Sequence, residues 1–78
     1  MLEFTIRLCS VQDVQHFVAL ATARPYDVVV RDNHNKINAK CFMEMFCLDF
    51  RHPLRVICQC SDEEFQSFIR DSKAYLVK

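Results

Sequence analysis

Residues 2–25 read LEFTIRLCSVQDVQHFVALATARP, and the spacing of the apolar positions changes partway through this stretch. Up to residue 8, apolar and polar residues alternate, which predicts a half-buried β-strand. From residue 11 the apolar residues recur at helical spacing, with Ser10 before them as a candidate N-cap. The helix is expected to end near Thr22, because Pro25 disfavours helical backbone at the residue before it. A strand and then a helix over residues 11–22 therefore open the chain.

The rest of the chain predicts five further elements. They are strands over residues 26–31, 36–40 and 54–60, a short helix over residues 42–48, and a final helix whose apolar stripe runs from Phe65 to Leu76. Residues 32–35 are rich in Asp and Asn, which is typical of a turn. Ser61 and Glu64 have the spacing of a capping box. The element order is β-α-β-β-α-β-α, which indicates one α+β domain over residues 1–78.

Composition narrows the classes of function. A hydrophobic share of 51% in 78 residues is enough for one dense core. The formal net charge is +0, so no long-range field favours nucleic acid or an anionic membrane, and neither is expected as a partner. Glycine is absent, which argues against the glycine-built phosphate cradles of P-loop and Rossmann proteins. No apolar run approaches the roughly 18 residues that a membrane span needs.

The five cysteines favour reduced thiols in a cytoplasmic protein over a disulfide framework. Their number is odd, their spacing is irregular, and no signal peptide is recognisable before them. Cys58 and Cys60 are separated by one residue, whereas paired zinc ligands are usually separated by two or more. In a strand they share a face with Leu54 and Val56, so we expect them in the core. No metal and no other cofactor is expected.

The order and spacing of these elements resemble HPr, the histidine-containing phosphocarrier family of the bacterial sugar phosphotransferase system. The most similar stretches are residues 15–19 (QHFVA) in the first helix and residues 35–40 (NKINAK) in the second hairpin arm. The resemblance implies an open-faced two-layer sandwich, with a four-stranded antiparallel sheet and three helices on one face. The core is then expected to include Leu2, Phe4, Ile6, Leu8, Val28, Val30, Ile37, Leu54 and Val56, with Phe65 and Phe68 also shielded from solvent.

The chain departs from the family where the family carries phosphate. Just before their first helix, family members read Leu-His-Thr-Arg-Pro or close to it, and this chain reads CSVQD over residues 9–13. Ser10 stands in the place of the phosphorylated histidine and Gln12 in that of the arginine. Asp13 replaces the proline, and Cys41 occupies the position of a regulatory serine in many Gram-positive members. We therefore expect no enzyme and no competent phosphohistidine, but a docking or regulatory module related to the phosphotransferase system.

A phosphocarrier that uses a displaced residue, His16 or Ser10, is the alternative. His16 lies more than one turn inside the predicted helix, where no backbone N–H is free to bind phosphate, so we expect an exposed helix residue there. The Ser10 hydroxyl could be phosphorylated at a helix start, but capping explains this serine more simply. His34 and His52 are expected in solvated loops.

The short helix over residues 42–48 carries the candidate partner-binding surface. Met45 and Leu48 are three apart and can face inward, which leaves Phe42, Met43 and Phe46 on the outer side. In the family, the exposed apolar residues of this helix dock partner proteins. A phosphotransferase-system component or a regulator is the expected partner here, and a homodimer or packing under a neighbouring loop would also cover the patch.

Overall fold

The computed structural model describes residues 2–77, and its elements follow the predicted order. In chain order they are β1 (Leu2–Ile6), α1 (Val11–Thr22), β2 (Val28–Arg31), β3 (Lys36–Asn38), α2 (Phe42–Met45), β4 (Leu54–Cys58) and α3 (Asp62–Asp71), with a 3₁₀ segment at Lys73–Tyr75. α1 has the predicted bounds, because Ser10 caps its start and Pro25 follows its end. Over residues 2–77, no helix combines the length and apolar character needed to cross a bilayer.

The strands form one antiparallel sheet in the order β1-β4-β2-β3. Val56 in the centre of β4 lies opposite Phe4 on one side and Val30 on the other. Val30 in turn lies opposite Ile37 in the β2–β3 hairpin. Burial alternates along β2 and β4, so one face of the sheet turns towards the helices and the other turns outward. The predicted four-stranded open-faced sandwich is confirmed.

One buried cluster joins the sheet to the helices. Phe17 of α1 and Phe68 of α3 are fully buried, and their rings stack with centroids 5.7 Å apart. Of the predicted core, the buried members are Ile6, Leu8, Val28, Val30, Leu54 and Val56, while Phe4, Ile37 and Phe65 are partly buried against the cluster. Leu2 is half-buried and lies outside the cluster, because it stands at the end of an edge strand.

Several elements are shorter than predicted. The structure ends β1 at residue 6, begins β2 at residue 28, and ends β3, α2 and β4 at residues 38, 45 and 58, against predicted residues 8, 26, 40, 48 and 60. Beyond α2 the backbone tightens into 3₁₀-type turns, in which the Leu48 N–H donates to the Met45 carbonyl at 3.2 Å. Met45 and Leu48 are both buried, as expected, so they anchor this segment to the core.

The last helix ends at Asp71 and does not reach Leu76. The chain turns back instead, and Leu76 forms an antiparallel bridge with Ile6 in β1. The Arg7 N–H donates to the Tyr75 carbonyl at 2.8 Å. This return provides hydrogen-bond partners for the outer edge of β1, which would otherwise leave backbone groups unpaired.

The β2–β3 turn is built without glycine, and no residue from 2 to 77 has a positive φ. The Asp32 carboxylate accepts from the backbone N–H groups of His34 at 2.7 Å and Asn35 at 2.6 Å. It also accepts from the Asp49 N–H at 2.9 Å. These bonds, the one from His34 first, lower the pKa of Asp32 to about 2. Asp32 therefore ties the hairpin to the loop that follows α2.

Candidate functional site

The start of α1 is closed by two short-range hydrogen bonds. The Ser10 Oγ accepts from the Asp13 N–H at 3.1 Å, as the N-cap prediction requires. The Asp13 carboxylate reaches back and accepts from the Cys9 N–H at 3.0 Å. Two backbone donors at the helix start are thus engaged, and the carboxylate already provides the negative charge that a helix N-terminus attracts. A phosphate group arriving here would compete with Asp13 and be repelled by it.

Residues 9–13 include no imidazole and no cationic side chain. The nearest histidine along the chain, His16, is exposed on α1, as expected. Its Nδ1 lies 3.0 Å from the Tyr75 hydroxyl, in hydrogen-bond contact. Burial and the nearby Asp13 charge raise the pKa of Tyr75. His16 is therefore tied to the returning C-terminal segment, and phosphorylation at Nδ1 would break that contact.

The predicted patch on α2 is only partly exposed. Met43 is 74% exposed and Phe46 45% exposed, but Phe42 is half-buried and packs against the core. The exposed position predicted for Phe42 is therefore wrong. Phe42 lies three residues before the buried Met45, so the two share a face of the short helix. The Phe42 ring still contacts the Phe46 ring edge-on, with centroids 5.0 Å apart.

Two residues outside the predicted patch extend it. Val11, at the first position of α1, is 55% exposed, and Phe50 lies edge-on to Phe46 with centroids 6.4 Å apart. Together they line a groove of about 330 Å³ between α1 and the segment after α2, and the full lining is Cys9, Ser10, Val11, Val14, Phe46 and Phe50. We call this the α1–α2 groove. No local signal places Val11 beside Phe46, because only the packing of α1 against α2 brings them together.

The cysteines lie apart from this groove, except Cys9 at its rim. All five are free thiols. Cys41 is the N-cap of α2 but makes no side-chain capping bond. Burial is the main cause that raises the pKa of Cys58 to about 12, so this thiol stays protonated. Over residues 2–77, no cluster of three or more metal-binding side chains is present.

His34 and His52 are exposed in the loops, as expected, and both are more than 20 residues from the start of α1 in the sequence. His52 lies near Asp49, with Nε2 3.9 Å from a carboxylate oxygen.

The site thus combines a capped helix start with an adjoining apolar groove. No family model matches this chain, and no curated protein shows significant sequence similarity to it. The resemblance to HPr accordingly rests on the order of the elements and on the short stretches at residues 15–19 and 35–40.

Proposed function

We propose that this chain is an HPr-like docking or regulatory module, without a phosphohistidine, that acts in the cytoplasm beside the bacterial sugar phosphotransferase system. The observation that supports this most is the closed start of α1, where Ser10 and Asp13 bond to the backbone. By the resemblance, that is where the phosphate would be held. The adjoining α1–α2 groove supports the docking role, because it exposes apolar side chains at the same end of the helix.

Phosphate transfer needs a nucleophile and positive charge at the same place. The helix start has Ser10, whose oxygen already accepts a hydrogen bond, and Asp13, whose charge opposes an incoming anion. His16 has a suitable ring, but it lies beyond the first turn, where the helical N–H groups are used within the helix. These features favour binding without phosphorylation.

Docking through the groove has a plausible magnitude. Burying a Val, Met or Phe side chain contributes about 1.5–3 kcal/mol relative to full exposure. Val11, Met43 and Phe46 are 55%, 74% and 45% exposed, so burying each of them contributes only a fraction of the value for a fully exposed side chain. Association itself costs about 4–15 kcal/mol in lost translational and rotational freedom, so contacts around the edge of the groove must contribute as well. We therefore expect a weak, reversible complex, of the kind that suits a regulatory partner.

The test is a titration of the ¹⁵N-labelled chain with enzyme I of the phosphotransferase system, compared with a titration of the chain against itself. We expect saturable shifts at the N–H groups of the groove lining and of the exposed patch beside it, which are Cys9, Ser10, Val11, Val14, Met43, Phe46 and Phe50. The double variant Met43→Ser, Phe46→Ser should lose them while keeping its fold. Val77→Ser is the matched control, since Val77 is 41% exposed but lies outside both the groove lining and the patch of Met43 and Phe46.

The two titrations also separate the occupants of the groove. Shifts that appear only with rising concentration of the chain itself would favour a homodimer. If neither titration moves residues of the groove, and the double variant behaves as the parent chain does, the docking proposal is wrong. Transfer of phosphate to His16 or Ser10 in the enzyme I mixture would instead establish the phosphocarrier alternative.

A further inference from the structure

The outward face of the sheet carries a second surface, separate from the α1–α2 groove. Strand geometry sends alternate side chains to this face, away from the helices. Its members on the four strands are Glu3, Thr5, Val29, Arg31, Lys36, Asn38, Arg55 and Ile57, all exposed or half-buried. Five of them form a row of three cations and a pair of aliphatic side chains, and the other three are Glu3, Thr5 and Asn38.

The cations form a row across three neighbouring strands. Arg31 in β2 lies directly opposite Arg55 in β4 and directly opposite Lys36 in β3. Neighbouring strands are about 4.8 Å apart, so the three backbone positions span roughly 10 Å. Like charges placed directly opposite each other destabilise a sheet. This arrangement is therefore unfavourable in the isolated chain, and an anion would relieve it.

Two carboxylates, those of Glu3 and Asp32, lie beside this row and offset part of its charge. Glu3 approaches Arg55, but the atoms are 3.9 Å apart, which is too long for a hydrogen bond. Arg31 and Lys36 form no ion pair with any residue between 2 and 77. The Asp32 carboxylate lines the same cleft as Arg31 and Arg55, and its pKa of about 2 keeps it ionised at neutral pH, so it offsets one positive charge of the row. Three cations beside two carboxylates keep an excess of one positive charge, which can pair with an external anion.

A cleft of about 160 Å³ lies between two of these cations, and its lining is Arg31, Asp32, Asn33, Pro53 and Arg55. Guanidinium groups match the planar geometry of a carboxylate and bind it through two parallel N–H bonds. The next row of the sheet places Val29 directly opposite Ile57, and both are half-buried. The outward face thus offers carboxylate partners beside an aliphatic strip.

We propose that the outward face of the sheet binds an acidic segment of a partner protein. Its carboxylates pair with Arg31, Arg55 and Lys36, and its aliphatic side chains cover Val29 and Ile57. This surface lies on the opposite side of the sheet from the helices. It goes beyond the docking function proposed for the α1–α2 groove, and a partner could occupy each surface independently.

Charge complementarity alone would also admit a single-stranded nucleic acid, and two observations argue against one. Proteins that bind single strands stack the bases on aromatic side chains, and no side chain on the outward face is aromatic. The chain also has a formal net charge of +0, so it has no general attraction for a polyanion. An acidic protein segment can use both the cations and the aliphatic strip.

The experiment titrates the ¹⁵N-labelled chain with a synthetic peptide that mixes glutamate and leucine, and in parallel with a matched glutamine–leucine peptide and with oligothymidylate. We expect saturable shifts in β2 and β4 with the glutamate peptide alone, weakening as salt is added. Arg31→Glu should weaken binding about tenfold or more, since it places a like charge against the peptide. Lys73→Glu, which changes the net charge equally but lies in the 3₁₀ segment, should leave affinity within about twofold.

We expect Arg31→Glu to fold, so that a loss of binding reports on the contact with the peptide. Arg31→Glu sets a carboxylate between Arg55 and Lys36, so its melting temperature should equal or exceed that of the parent chain. If it does not fold, Arg31→Gln and Arg55→Gln provide the same comparison without charge reversal. Equal weakening by Lys73→Glu, equal binding of the glutamine peptide, or tighter binding of oligothymidylate would each overturn the proposal. So would shifts confined to the α1–α2 groove.

Discussion

Replacing Ser10 with alanine tests the hydrogen bonds that close the start of α1. The change removes the Oγ that accepts from the Asp13 N–H at 3.1 Å and leaves the Asp13 carboxylate bond to Cys9 in place. Loss of a serine N-cap costs about 0.5–2 kcal/mol, and about 1 kcal/mol is expected for this exposed helix end. For a chain of this size, 1 kcal/mol corresponds to a fall in melting temperature of about 4–8 °C.

Urea unfolding followed by far-ultraviolet circular dichroism measures this loss, as a lower midpoint at an unchanged slope. Ser10→Thr is the matched control, because threonine also caps a helix and should retain most of the stability. If Ser10→Ala is as stable as the parent chain, the hydroxyl does not cap α1. The start of the helix would then have a free donor for an anion, and the reasoning that excludes phosphate there would fail.

Three further outcomes follow from the structure. The folded-state pKa of Asp32 is lowered from 3.8 to about 2, so its carboxylate stabilises the fold above about pH 4, and this contribution is lost as the pH falls towards 2. Over that range, the free energy of unfolding of Asp32→Asn should depend less on pH than that of the parent chain. The pKa of Cys58 is raised from 9.0 to about 12, so its protonated thiol stabilises the fold below pH 9, and this contribution is lost as the pH rises towards 12. Between pH 9 and 12, the melting temperature of Cys58→Ala should therefore depend less on pH than that of the parent chain. Phe68→Ala should cost about 3–5 kcal/mol in chemical unfolding, since Phe68 is fully buried against Phe17 and Phe4, whereas the exposed Gln66→Ala should change stability little.

Local signals in the sequence predict much of the fold. α1 has its predicted bounds because two short-range features define them, the Ser10 cap and Pro25. The capping box of α3 forms as predicted, with Ser61 and Glu64 each accepting from the other's backbone N–H. The sheet follows from alternation, because a period of two fixes which side chains turn inward along β4. These signals are strong because each depends on residues only a few positions apart.

The remaining features depend on contacts between distant parts of the chain. The end of α3 could not be placed, because Leu76 continues the helical pattern but pairs with Ile6 instead. The contact between His16 and Tyr75, and the packing of Val11 near Phe46, likewise arise only once the layers have assembled. Phe42, by contrast, lies three residues before the buried Met45, so local spacing already places it on the core side of α2, against the predicted exposed position.

The cation row on the outward face was also partly visible in the sequence. Alternation places Arg31 and Arg55 on the outer side of their strands. Their direct opposition depends on the register between β2 and β4, which joins segments far apart in the chain. A shift of register by two residues would keep both side chains on the outer face and separate the charges. Pairing register, which is set by tertiary packing, is therefore the information that the sequence alone lacks.

The most direct test of the central proposal is the intact mass of the chain after incubation with phosphoenolpyruvate and a matched enzyme I. We predict no gain in mass, because Ser10 and Gln12 stand in place of the histidine and arginine that the resemblance requires, and Asp13 occupies the helix start. A genuine HPr in the same reaction serves as the positive control. An acid-labile gain of one phosphoryl group that disappears in His16→Ala would contradict the account and show that the chain carries phosphate.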